Sequence, residues 1–229
     1  MKRQIIVILA IFCCVITYAQ QRKEPLINYG VKAGFSSTIY DIIDLQINTF
    51  PINDYTAKSE ISSFFTAFAR FNLKKHYIQT EISYNISNYS IFFPANQWNS
   101  GADDTELSII STKVNGIEIP LYYGYHIMKS GPYGMSFYIG PKAKFVLADH
   151  SNHTFENFPY SDIEEKIYPI NFSMMLGLGI SISPVFFDFS FEYGLHNISQ
   201  GISTTETDIA GIIFNRRKNV LSFSIGFIF

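Results

Sequence analysis

Acid–base chemistry near neutral pH runs most readily through histidine, and this chain has five: His76, His126, His150, His153 and His196. Hydrolysis needs a nucleophile or activated water, a base and an orienting acid within hydrogen-bond reach of one another. His196 offers the best such set, with Glu192 four residues before it and Ser199 three after. An isolated histidine at a strand end serves more often as a polar cap, so no catalytic residue is assigned. His150 and His153 lie near Asp149 and Glu156, but zinc centres need further fixed nitrogen or sulfur ligands. Asp41, Asp44, Asp54, Asp103 and Asp104 are calcium-type ligands that lack EF-hand loop spacing. These patterns assign neither cofactor nor metal.

Eight other charges carry a clearer pattern. Lys32, Arg70, Glu81, Glu118, Lys142, Lys144, Asp188 and Glu192 each stand at alternate positions in segments whose remaining positions are apolar. Side chains on a strand point to opposite faces with period two, so all eight share the face that also holds Gly30, Gly34, Gly116, Gly124, Gly140, Gly177, Gly179, Gly194 and Gly226. A charge buried singly costs several kcal/mol, and four cations with four anions on one face are therefore expected to pair. The expected role of this network is structural.

The elements that must position them are strands. The last ten residues set Leu221, Phe223, Ile225, Phe227 and Phe229 against Ser222, Ser224 and Gly226. The same alternation marks a strand from Asn28 to Ser36, one over 61–73 and one over 78–87. It returns at 116–127, 137–147, 170–183 and 187–196. Tight turns fall at Lys74-Lys75 and Pro184, with a short connection from Met128 to Gly134. Between them, residues 39–60, 89–110, 149–166 and 199–216 lose the pattern and read as long loops rich in Asp, Asn, Gly and Pro. Phe64 and Phe68 stand on the polar side of their strand. Pro120 lacks an amide hydrogen and predicts a bulge or kink.

Eight strands joined alternately by long loops and short turns match an all-β, eight-stranded antiparallel up-and-down transmembrane barrel. Composition agrees: 47% of the 229 residues are hydrophobic and 16% charged, against roughly 25% charged in soluble domains, while no apolar run after the first twenty positions is long enough for a spanning helix. Residues 1–19 read as a cleaved signal peptide, with Lys2 and Arg3, an apolar segment from Ile5 to Ile16 and Thr17-Tyr18-Ala19 before the cut. Residues 20–229 then form one barrel domain. Cys13 and Cys14 leave with the leader, which excludes disulfides and cysteine sites. A net charge of -2 gives no reason to expect nucleic acid.

Glycines and paired charges suit a cramped interior, so the apolar face is expected to meet lipid. An eight-stranded barrel is filled by side chains rather than open as a channel. Tyr122, Tyr123, Tyr125, Tyr133, Tyr138, Tyr168 and Tyr193 are expected to form an interfacial girdle. Phe92, Phe93, Trp98, Phe155, Phe158 and Tyr160 are loop aromatics suited to glycan or peptide binding.

Several motifs, in order, resemble the PorT-like family of small outer-membrane barrels of Gram-negative bacteria. They are Gly30-Val31-Lys32-Ala33-Gly34, Ile117-Glu118-Ile119-Pro120-Leu121, Tyr138-Ile139-Gly140-Pro141-Lys142, Glu192-Tyr193-Gly194-Leu195-His196-Asn197-Ile198 and the terminal strand. The resemblance implies fold and outer-membrane location, and one branch of the family is tied to secretion. The expected function is a non-enzymatic structural or interaction module, accessory to secretion or envelope assembly, with outer-membrane lipid and envelope proteins as partners through the four loops. The alternatives are a lipid-modifying enzyme and a small passive pore.

Overall fold

The computed structural model describes residues 25–47, 50–52, 54–59, 61–97, 106–147, 152–156, 164–203 and 213–229. The leader expected at 1–19 lies outside them. Eight long strands form the wall: β1 (Ile27–Ile47), β2 (Ile61–Leu73), β3 (His76–Pro94), β4 (Leu107–Ser130), β5 (Tyr133–Val146), β6 (Ile170–Ile182), β7 (Val185–Gly194) and β8 (Ile213–Ile228). Each pairs antiparallel with its neighbour in sequence, and β1 pairs with β8, closing the ring. At the seam Phe229 N–H donates to Tyr29 O at 2.7 Å.

The register sets the tilt. A path of paired residues runs from Asn28 through Arg70, Gln79 and Tyr122, crosses to Gly140, and continues through Met175, Glu192 and Val220. It rejoins β1 at Thr38, ten positions above its start. With strands ~4.8 Å apart and a rise of ~3.4 Å per residue, a stagger of ten over eight strands tilts them by about 40°. Ten residues at that tilt climb about 26 Å, close to the ~25 Å apolar band of an outer-membrane barrel.

The outward face supplies that band. It runs from Leu221 to Phe229 on β8, from Ile117 to Ile127 on β4 and from Ile170 to Ile182 on β6. Phe35 and Ile82 are each 64% exposed and Phe223 48%, an arrangement stable only against hydrocarbon. The inward face carries Lys32, Glu81, Glu118, Lys142, Lys144, Asp188 and Glu192, all buried.

Three expectations are corrected. The segments 39–60, 89–110, 149–166 and 199–216 are largely stranded: β1, β3, β4 and β8 continue into them, and short strands lie at Phe50–Pro51, Thr56–Ser59, Asn152–Glu156, Glu164–Ile167 and Ser199–Ser203. Period two persists there, but neither face keeps one polarity. Above the band the inward residues include apolar Ile91, Phe93, Ala95, Ile110 and Val114 beside polar Ser108 and Thr112, all buried, while Asn88, Ser111 and Lys113 take outward positions alongside Leu107. Phe93 therefore offers no surface to a ligand. The connection expected from Met128 to Gly134 is a two-residue turn at Gly131-Pro132, with Gly131 in the left-handed region at φ 60. Pro120 does not shift the register, since Ile119↔Ala143, Pro120↔Lys142 and Tyr123↔Ile139 run in step. The irregularity falls between His126 and Met128.

Inward glycines take the place of side chains for a spatial reason. Tyr77 pairs with Gly124, Tyr138 with Gly177, Phe68 with Gly30 and Phe186 with Gly226. In each pair the ring lies across the glycine. A Cβ on Gly124 would stand 2.0 Å from the Tyr77 ring, and one on Gly177 would stand 2.3 Å from Tyr138.

Two predictions follow from this arrangement. Ile225→Arg, at the middle of the apolar band on β8, is expected to destabilise the barrel by about 2–4 kcal/mol in lipid, read by urea unfolding in vesicles; unchanged stability would mean that this face does not meet lipid. Gly124→Val is expected to lose at least about 2 kcal/mol by overpacking, and adding Tyr77→Ala is expected to recover most of it. Equal stability of the single and double variants would disprove the pairing.

Candidate functional site

The interior is organised around two lysines, each held between two carboxylates. Lys32, brought inward by β1, lies 2.8 Å from Glu81 Oε1 on β3 and 2.7 Å from Asp188 Oδ2 on β7. Higher in the lumen, Lys142 on β5 lies 2.8 Å from Glu118 Oε2 on β4 and also pairs with Glu192 on β7. Lys144 stands 3.5 Å from Glu118 Oε1 and donates to Asn85 Oδ1 at 3.3 Å.

Neutral groups complete the shells. Tyr138 donates to Asp188 Oδ1 at 2.5 Å, and Gln79 Nε2 to Glu81 Oε1 at 2.5 Å. Arg70 joins through Gln79, donating from Nε to its Oε1 at 2.6 Å, and its guanidinium sits 4.2 Å from the Tyr77 ring centroid. The sequence placed Arg70 among the paired charges; the structure links it to Glu81 at one remove. Tyr77, Tyr122, Tyr138 and Met175 form a buried cluster across the lumen. Tyr122 and Tyr138 therefore leave the expected girdle, because their parity points inward.

Sequence reasoning missed Arg216, which closes the expected loop over 199–216, and Lys218 just beyond it. Both extend the even-numbered inward face of β8 above Val220, Ser222 and Ser224, and both are buried. Carrying that parity two steps further up would have found them. Among the described residues, the cations Lys32, Arg70, Lys142, Lys144, Arg216 and Lys218 and the carboxylates Glu81, Glu118, Asp188 and Glu192 point into the lumen.

Interior cavities include two of about 30 and 40 Å³. At 10–15 Å³ per water, each holds two to four waters.

His196 belongs to the wall. Its Nε2 accepts the Phe172 N–H at 2.9 Å, and its Nδ1 lies 2.8 Å from Asn197 O, so both ring nitrogens bond backbone rather than Glu192 or Ser199. Asn197 continues the joint, accepting from Arg216 N–H at 3.0 Å and donating to Asn215 Oδ1 at 2.7 Å. His76 pairs with Tyr123 at 2.6 Å near the turn end. His150 and the side chain of His153 lie outside the described residues, as do Trp98, Asp103 and Asp104. No cluster of metal-type ligands occurs among the described residues.

Over residues 18–200 the sequence matches the family described as outer membrane protein beta-barrel domain. The chain belongs to that family. Membership places it in the outer membrane, in accord with the apolar band and closed ring. The outer membrane protein OprG from Pseudomonas aeruginosa is 10% identical over 88% of this chain and 95% of its own, with a TM-score of 0.56. The outer membrane protein AlkL, solved in DMPC lipid bilayers, is 10% identical over 92% and 94%, with a TM-score of 0.50. Likeness at such identity speaks for the fold alone. No curated protein matches the chain.

Lys32→Met removes the cation between Glu81 and Asp188 and is expected to destabilise the barrel by about 3–5 kcal/mol. The triple variant Lys32→Met/Glu81→Gln/Asp188→Asn is expected to be clearly milder, because no uncompensated charge stays buried. Urea titration of both in lipid vesicles checks this; equal losses would show that the lysine acts by packing alone.

Proposed function

We propose that this family member is a non-enzymatic outer-membrane scaffold that presents a rigid surface outside the cell, serving secretion or envelope assembly. The carrying observation is the length of the wall beyond lipid. β4 spans 24 residues and β1 21, while β7 spans 10. About ten residues cross the band at the observed tilt, so β4 continues from Asn115 to Leu107 roughly 20 Å above it. That extension has its own apolar core at Ile91, Phe93, Ile110 and Val114. Strand extensions of this kind hold a surface in place without a ligand.

The filled lumen supports the same reading. Two lysine–carboxylate triads and the tyrosine cluster occupy the space through which a solute would pass. The ordered motifs favour the PorT-like branch. In barrels of this class short turns and chain termini face the periplasm and longer connections face outside, which makes the long-strand end extracellular. Delivery to the membrane would follow cleavage of residues 1–19; the family match opens at residue 18, beside that cut.

The mature chain lacks cysteine, so a single introduced one reports cleanly. Lys113→Cys, on the outward face above the band, is expected to give one discrete protein adduct with a thiol crosslinker in intact cells. Ile225→Cys, in the lipid band, is expected to give none. Planar bilayers are expected to show no step conductance. Conductance steps with no adduct would favour a passive pore, and a lipid A change on deletion that His196→Ala abolishes would favour a lipid-modifying enzyme.

A further inference from the structure

At the short-turn end the outer wall carries a polar cluster directly beneath its apolar band. Ile78 is the last apolar outward residue of β3, and His76 stands two positions below it. Two residues at the observed tilt span about 5 Å, which sets His76 at the depth of the polar headgroup layer. The β2–β3 turn, Lys74-Lys75, adjoins it, and both lysines are exposed.

His76 is held against the wall by two tyrosines of β4. Its ring stacks on Tyr123, with centroids 5.7 Å apart and planes at 26°, and tilts against Tyr125 at 5.1 Å. The Tyr123 hydroxyl lies 2.6 Å from Nδ1. A phenol donating there leaves the ring hydrogen on Nε2, and no described residue accepts from Nε2. An exposed histidine thus offers one N–H at the membrane edge.

The turn holds lysine where the backbone favours another residue. Lys74 lies in the left-handed region at φ 55, which hairpin turns ordinarily fill with glycine or asparagine. A disfavoured residue kept at such a position points to a role for its side chain. Among the described residues every carboxylate side chain lies in the lumen or toward the long-strand end, so none neutralises Lys74 and Lys75. Two ammonium groups and a ring N–H at headgroup depth complement a phosphate with net negative charge. Above them Ile78, Tyr123 and Tyr125 are exposed on the outer wall and give an acyl chain an apolar surface.

We propose that this patch binds a phospholipid with a net anionic head in the leaflet at the short-turn end, its phosphate seated between His76 and the ammonium groups of Lys74 and Lys75 and an acyl chain lying over Tyr123 and Ile78. A zwitterionic head brings a further cation to the two lysines and is disfavoured. This goes beyond the scaffold reading and stands without it.

The test is native mass spectrometry of the full-length folded barrel, released from neutral detergent after incubation with dioleoyl phosphatidylglycerol, dioleoyl phosphatidylcholine or glycerol 3-phosphate. One phosphatidylglycerol is expected to stay bound, phosphatidylcholine at least fivefold less, and glycerol 3-phosphate not at all. Lys74→Asn/Lys75→Gln, in which asparagine suits the left-handed turn, is expected to lower phosphatidylglycerol retention at least fivefold. His76→Phe, which keeps a ring against Tyr123 and Tyr125, is expected to lower it at least threefold. Lys113→Gln, an exposed lysine at the other end of the wall, is expected to leave it unchanged. Heat-modifiable gel mobility verifies that each variant is folded, and Lys74→Asn alone replaces a misfolded double variant. Equal retention of the two lipids would overturn the headgroup selectivity, and retention of glycerol 3-phosphate would overturn the lipid in favour of a free phosphate. Unchanged retention in the turn variants, or an equal loss in Lys113→Gln, would overturn the site itself.

Discussion

Backbone hydrogen bonding in hydrocarbon is the constraint from which the rest of this structure follows. An unpaired amide in the bilayer core costs several kcal/mol, and only a sheet closed upon itself leaves none at an edge. Here the closure is made by β1 and β8, with Phe229 bonded to Tyr29 at the lower rim. Closure at a stagger of ten fixes the tilt and, with it, the width of the interior. Everything inside must then fit a tube of eight strands, which explains why the rings of Tyr77, Tyr138, Phe68 and Phe186 each sit across a strand pair from a glycine.

How much of this is readable in the sequence depends on which solvent a face meets. Between Ile117 and Ile127, or Leu221 and Phe229, lipid outside and charge inside make each parity chemically distinct, so strands and faces can be read residue by residue. Above the band, water replaces lipid outside, and both faces mix polar with apolar side chains. At Ile91, Phe93 and Ile110 apolar residues turn inward beside polar ones such as Ser108 and Thr112, and a reading keyed to apolar-out sees a loop. The same change hid Arg216 and Lys218, whose parity matches Ser222 and Ser224 but whose segment looked like a basic loop end. Tyr122 and Tyr138 were obscured otherwise: tyrosine suits an interface as well as a lumen, and their inward parity is what separates the two.

The motif Glu192 to Ile198 shows what an ordered local pattern can encode. Glu192 closes the upper lysine triad, and Gly194 allows Lys218 O to approach to 2.5 Å of where a Cβ would stand. His196 satisfies the Phe172 amide, and Asn197 ties β7 to β8. Seven consecutive residues thus end one strand of the barrel and join it to its neighbour. Most of their types are accounted for by backbone geometry and strand joining.

The charged triads remain to be explained, since a buried ion pair is seldom better than a well-packed apolar substitute. Their value lies in what they forbid. In a strand whose outward face is already Phe, Ile and Leu, an apolar inward face would make both faces equivalent to lipid. A slip of one residue, which exchanges the faces of a strand, would then carry little penalty. With Lys32, Glu81, Lys142 and Asp188 inside, the same slip places bare charges in hydrocarbon at up to about 2–4 kcal/mol for each lysine at mid-depth. Partner charges on β3, β4 and β7 would be left without their cations as well. The network thus selects one facing and one register out of several otherwise similar closures. A chain that lacked it could still bury as much apolar surface, but it would not know which side to show the membrane.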